Sequence, residues 1–131
     1  MTSNKNLGNA GEFYVLAQLA QRGYIAGKTD DGQTLIDVIA TDPESLNTVN
    51  IQVKTRTIDG KISSWLMSEK NEKVFEYLLI VVLDDDYDVL SVLQLTWDDF
   101  MEHKKYNSRM ENYNISLTKK LISSVEIIYQ K

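Results

Sequence analysis

Cysteine is absent from the 131 residues, which excludes disulfides and thiolate metal sites and suits a reducing, cytoplasmic setting. Proline occurs once, at Pro43, and there is no low-complexity tract, internal repeat or linker, so residues 1–131 are expected to form a single domain. A chain of this size can bury a core without staples. No apolar run approaches the ~20 residues that span a bilayer, and the opening MTSNKNLGNAGEF has no apolar signal region; no membrane partner is expected. Asn114-Ile115-Ser116 is then a chance glycosylation pattern. The lone histidine, His103, falls at the end of a short polar stretch, where a surface role is expected. No phosphate-binding glycine loop, nucleotide fingerprint or Ser/His/Asp arrangement is present. Excess positive charge is also missing. The net charge of −5 counts against loose electrostatic binding of nucleic acid.

The distribution of that charge says more than its total. Residues 1–75 carry 8 basic and 9 acidic side chains, and residues 76–131 carry 6 and 10. The acidity therefore gathers in the second half, while Lys54, Arg56 and Lys61 form the clearest basic stretch.

What is present reads as a mixed α/β chain. A helix is predicted from about Leu7 to Arg22, with Phe13, Leu16, Ala17 and Ala20 as its buried stripe and Gly23 as its stop. A short strand, Tyr24 to Ala26, follows. Asp30-Asp31-Gly32 signals a turn, and Thr34 to Ala40 reads as a strand. The polar segment Thr41 to Thr48 is a loop or hairpin turn. Val49 to Thr57 alternates with period two: Val49, Ile51, Val53 and Thr55 face one way, and Asn50, Gln52, Lys54 and Arg56 the other. Ser68 to Lys73 could form a helical turn. Val74 to Leu83 and Tyr87 to Leu95 read as a hairpin turning at Asp84-Asp85-Asp86, a run that lacks the Gly and Glu of a calcium loop. Thr96 is a helix cap for Trp97 to His103. The chain after Tyr106 is ambiguous: Ile115 to Leu117 reads as strand, and Lys119 to Tyr129 as helix or strand. Segregated helix and strands predict one central mixed sheet flanked by helices.

Three placements break local rules. Asp37 lies among Leu35, Ile36, Val38 and Ile39, where a carboxylate is costly unless paired or bound to a cation. Gln52 and Lys54 share one face of the next strand. Glu12 lies on the helix near its apolar stripe. Taken alone, each has an ordinary explanation: a buried Asp37–Lys54 ion pair, an edge glutamine, a solvated helix glutamate. Together they suggest a site. Two carboxylates and an amide oxygen suit a hard cation such as Mg²⁺, and an ammonium beside them suits the charge that develops in phosphodiester hydrolysis.

The ordered pieces Gly11-Glu12, Ile36-Asp37-Val38-Ile39 and Ile51-Gln52-Val53-Lys54-Thr55 resemble the PD-(D/E)XK nuclease superfamily, in its Holliday-junction-resolvase-like and restriction-endonuclease-like branches. The resemblance covers roughly the first 60 residues, judged by pattern. It implies a restriction-endonuclease-like αβββαβ core and a DNA endonuclease using Mg²⁺ or Mn²⁺. It makes Asp37 the principal metal ligand, with Gln52 and Glu12 also at the metal, and Lys54 the catalytic lysine. Arg56 and Lys61 become candidates for the DNA backbone, and a homodimer becomes a natural arrangement. The sequence departs from the pattern at Gln52, where an acid is usual. That departure and the acidic second half also admit a catalytically inactive interaction, immunity-type or accessory protein with a protein partner. Trp65 is expected in the core or at a rim.

Overall fold

The computed structural model describes residues 4–29, 36–57, 63–67, 75–103, 105–107, 112–116 and 126–130, and the side chains of 6–29, 36–57 and 75–102. Lys61, the expected turn at Asp30 to Gly32, the expected helical turn at Ser68 to Lys73 and the side chain of Trp65 lie outside these residues.

Helix α1 spans Asn4–Gln21. It closes in a Schellman arrangement: the Gly23 and Tyr24 amides donate to the Ala20 and Leu19 carbonyls at 3.1 and 3.0 Å. Gly23 has φ 87°, the left-handed conformation that this closure requires and that glycine adopts at least cost. The sequence expectation for the buried stripe is corrected here. Phe13 is 58% exposed, and Ala17 and Ala20 are exposed as well. The helix instead presents Gly11, Val15 and Leu19 to the sheet. The reason is steric. A Cβ built on Gly11 would lie 1.8 Å from Thr55 Oγ1, so only glycine lets helix and sheet approach this closely, and that approach fixes the helix's rotation.

The strands are β1 (Ile25–Lys28), β2 (Val38–Thr41), β3 (Thr48–Thr57), β4 (Ser63–Met67), β5 (Tyr77–Leu83), β6 (Val89–Thr96), β7 (Lys105–Asn107), β8 (Asn112–Ser116) and β9 (Glu126–Gln130). Six of them form the central sheet, in the order β1-β2-β3-β5-β6-β9. All its pairings are antiparallel except β3 with β5, so the sheet is mixed, as expected. A smaller sheet, β4-β8-β7, was not foreseen. Helix α2, Trp97–His103, matches its predicted span. Its cap is reciprocal: Asp99 N donates to Thr96 Oγ1 at 3.1 Å, and Thr96 N donates to Asp99 Oδ2 at 2.9 Å.

Strand β5 divides the core. Leu78, Ile80 and Val82 join Leu93, Leu95, Phe75, Trp97 and Phe100 on the α2 face. Leu79, Val81 and Leu83 join Val15, Val38, Ile51, Val53 and Val92 on the α1 face. The predicted alternation of β3 holds, with Ile51, Val53 and Thr55 buried.

The two helical glycines give a paired prediction. An added Cβ at Gly8 meets nothing within 4 Å, whereas at Gly11 it collides with Thr55. Gly8→Ala should stabilise the protein by about 0.5–1 kcal/mol through helix propensity. Gly11→Ala should destabilise it by about 1–2 kcal/mol, because overpacking costs ~1–3 kcal/mol against that same gain. Urea denaturation of the two variants is the check. Equal behaviour would mean that the helix does not dock through Gly11.

Candidate active site

The site lies where β2 and β3 part. Strand β2 begins at Val38, opposite Ile51, so Asp37 stands just ahead of the strand and not at its centre as the sequence suggested. Its backbone is still held on both sides. Asp37 N donates to Ile51 O at 2.9 Å, and Thr29 N donates to Asp37 O at 3.0 Å. The Thr29 hydroxyl also bonds the Ile36 carbonyl. On the β2 side of β3, beyond the Val38–Ile51 pair, the Asp37 carboxylate takes over the ladder: Val53 N donates to Asp37 Oδ2 at 2.8 Å. The carboxylate is thereby fixed against the edge of β3.

Lys54 is half-buried on the β3 face that carries Gln52 and Arg56. Burial pushes its amine below the ordinary lysine range. The negative charges of Asp37 and then Glu12 oppose that shift, and Arg56 adds to it. Lys54 thus feels both candidate carboxylates, although α1 packs on the other face of the sheet.

Glu12 follows Gly11, so the close approach of the helix carries its carboxylate to the sheet. Glu12 Oε2 lies 3.9 Å from Lys28 Nζ, with side-chain exposures of 14% and 21%. Gln52 is 3% exposed, and its Oε1 is buried with no hydrogen-bond partner. An orphaned carbonyl oxygen of this kind is costly. Arg56 is half-buried, and its guanidinium donates to Thr55 O at 2.7 Å. Burial lowers its pKa, but a guanidinium remains charged in proteins.

Asp37, Glu12 and Gln52 carry oxygen donors of the type that a hard divalent cation takes. Asp37 and Glu12 offer carboxylates, and the Gln52 Oε1 oxygen lacks any other partner. The set is lean in charge, because no group of three His, Cys, Asp or Glu side chains suited to a metal occurs among the described residues. A cavity of about 400 Å³ lies elsewhere, near the start of β3 and the C-terminal half of α1, lined among others by Tyr14, Leu19, Ala40, Val49, Tyr77 and Gln94. None of the four candidate residues lines it. Its walls are largely apolar, and the perturbed Lys54 and the orphaned Gln52 amide lie outside it.

Sequence reasoning missed Lys28. It read the first strand as ending at Ala26, whereas β1 continues to Lys28. A lysine at a strand end carries no local signal; only its pairing opposite Val38, next to Asp37, gives it meaning.

The mixed sheet, with α1 against β3 and a parallel β3–β5 pair, gives the chain the restriction-endonuclease-like fold of its structural neighbours. Two solved structures carry the likeness. One is a bacterial homing endonuclease, at TM-score 0.62 and 12% identity, covering 90% of this chain and 80% of that one. The other is a Holliday junction resolvase from Archaeoglobus fulgidus, at TM-score 0.56 and 12% identity, covering 92% and 91%. No protein-family model and no curated protein matches the sequence. No helix among the described residues is long and apolar enough to cross a membrane.

Proposed function

We propose that this protein is a divalent-metal-dependent DNA endonuclease, with Asp37, Glu12, Gln52 and Lys54 as its active site. The observation that carries the reading is the half-buried Lys54 amine under the field of Asp37 and Glu12, on the same strand face as a buried, unpartnered amide oxygen. Two of its structural neighbours are nucleases by name, which fits.

In the reaction a water oxygen forms a new bond to phosphorus and one bridging P–O ester bond breaks. The water gives up a proton, and the leaving alkoxide takes one up. Asp37, Gln52 and Glu12 would hold Mg²⁺ or Mn²⁺, which when bound supplies Lewis-acid polarisation and lowers the pKa of water. Asp37 is held for this task by the Val53 amide. Lys54 stabilises the negative charge that builds on the phosphoryl oxygens, and its low-dielectric setting strengthens that effect. Arg56 contacts the phosphate backbone, with Lys61 as a further candidate. A homodimer would set two such sites on opposite strands.

A second reading is favoured by Gln52, which stands where an acid would strengthen the cation site: a non-catalytic interaction protein on the same scaffold. Incubation with supercoiled, linear and branched DNA in Mg²⁺ or Mn²⁺, with EDTA as control, separates the two. Metal-dependent cleavage supports the nuclease. Intact DNA in every condition supports the binder.

Gln52→Glu tests the departure from the usual motif. It adds a third carboxylate, so Mn²⁺ affinity in a titration should rise about tenfold, since ligand charge tunes affinity for hard cations. Unchanged affinity would place Gln52 outside the cation site.

A further inference from the structure

We propose that Lys28 is a second phosphate-binding cation of this site, held in reserve on Glu12, and that arriving DNA draws it away and frees the carboxylate for the metal. The inference rests on the nuclease reading and adds an order of events to it.

The geometry is as follows. Strand β2 runs between β1 and β3, so Asp37 has Lys28 on the strand to one side and Lys54 on the strand to the other. Lys28 pairs with Val38, one residue beyond Asp37. Its ammonium does not extend freely into water. It lies 3.9 Å from Glu12 Oε2 and 4.7 Å from the centroid of the Phe13 ring. A cation over an aromatic face is favourably placed, and this accounts for an aromatic ring being kept 58% exposed on α1. The ring gives the ammonium a seat that does not depend on Glu12.

At 3.9 Å the ion pair is long for a direct charge-assisted hydrogen bond. It can be exchanged at little cost. A metal ion and the Lys28 ammonium compete for one carboxylate and repel each other. A DNA phosphate attracts both. Lys28 on one side of Asp37 and Lys54 on the other are cations in a protein whose overall charge is −5. The local balance therefore favours phosphate entry first. Metal affinity then rises, because the phosphate brings negative charge and removes the competing ammonium from Glu12.

The test uses Mn²⁺ binding, followed by electron paramagnetic resonance, and binding of a phosphorothioate duplex in EDTA. Wild-type protein should bind Mn²⁺ at least tenfold more tightly with the duplex than without it. Lys28→Met should bind Mn²⁺ about three- to tenfold more tightly in the absence of DNA. It should bind the duplex about three- to tenfold more weakly, with a salt dependence shallower by about one ion. Lys28→Arg should resemble wild type. Lys28→Gln, which keeps a polar side chain, repeats the measurement should Lys28→Met prove unstable. A merely structural Lys28 would weaken both affinities or leave both unchanged, and either result overturns the proposal. If wild type binds Mn²⁺ and duplex but the Lys28 variants behave like it, only this inference fails. If wild type binds neither, the nuclease reading itself fails.

Discussion

Asp37→Asn should lose DNA cleavage by about a thousandfold or more while remaining folded. The substitution removes the charge that would hold the cation, and loss of one electrostatic element of an active site commonly costs 10²–10³-fold or more. The amide keeps an oxygen in the same place, so it still accepts the Val53 N–H that Asp37 Oδ2 accepts at 2.8 Å. Asp37→Ala removes that acceptor too. It leaves a backbone amide of a buried residue unpaired, at a cost of about 1–3 kcal/mol. The alanine variant therefore mixes a catalytic with a folding defect, and the asparagine variant separates them. Cleavage rates and thermal melts of both proteins check this. An asparagine variant that cleaves like wild type would remove Asp37 from the chemistry.

Lys54→Met should lose cleavage to a similar extent and yet melt about 2–5 °C higher than wild type. Burial is the largest influence on Lys54 and disfavours its charged form, outweighing the attraction of Asp37 and Glu12. A group whose pKa is lower in the folded than in the unfolded state destabilises the fold while it is charged, that is, below its folded pKa. The penalty fades as pH rises from the folded pKa towards the ordinary lysine value near 10.5. Methionine keeps the stem and removes the charge, as replacement of buried charges by apolar side chains often stabilises. The melting difference between the two proteins should therefore narrow in alkaline buffer. A Lys54→Met protein that melts lower at neutral pH would mean that the ion pairs outweigh the burial, and that Lys54 is a structural cation.

Much of this site was legible in the chain because its signals are local. The alternation of Val49 to Thr57 places Gln52, Lys54 and Arg56 on one face whatever the partner strands. The Thr96–Asp99 cap is written in four consecutive residues. Other features depended on partners far along the chain. The orientation of α1 follows from Gly11 meeting Thr55, and a glycine adds nothing to an apolar stripe, so Phe13, Ala17 and Ala20 drew the helix the wrong way round. Strand β2 starts only where Ile51 can pair with it, which puts Asp37 at a strand end that its apolar neighbours conceal. The small sheet β4-β8-β7 joins residues more than fifty positions apart (Ser63 with Ser116), and no window of sequence contains both. The C-terminal segment, readable as helix or strand, supplies strand β9 because β6 offers it a free edge.

The most direct test of the central claim is the position of a bound Mn²⁺, located by anomalous scattering in crystals grown with an uncleavable DNA duplex. The account predicts one ion roughly 2–2.3 Å from a carboxylate oxygen of Asp37 and from Oε1 of Gln52, with Glu12 turned towards it and Lys54 beside the nearest phosphate. An ion bound elsewhere on the chain, or a duplex seated away from Lys54 with no ion at Asp37, would contradict it.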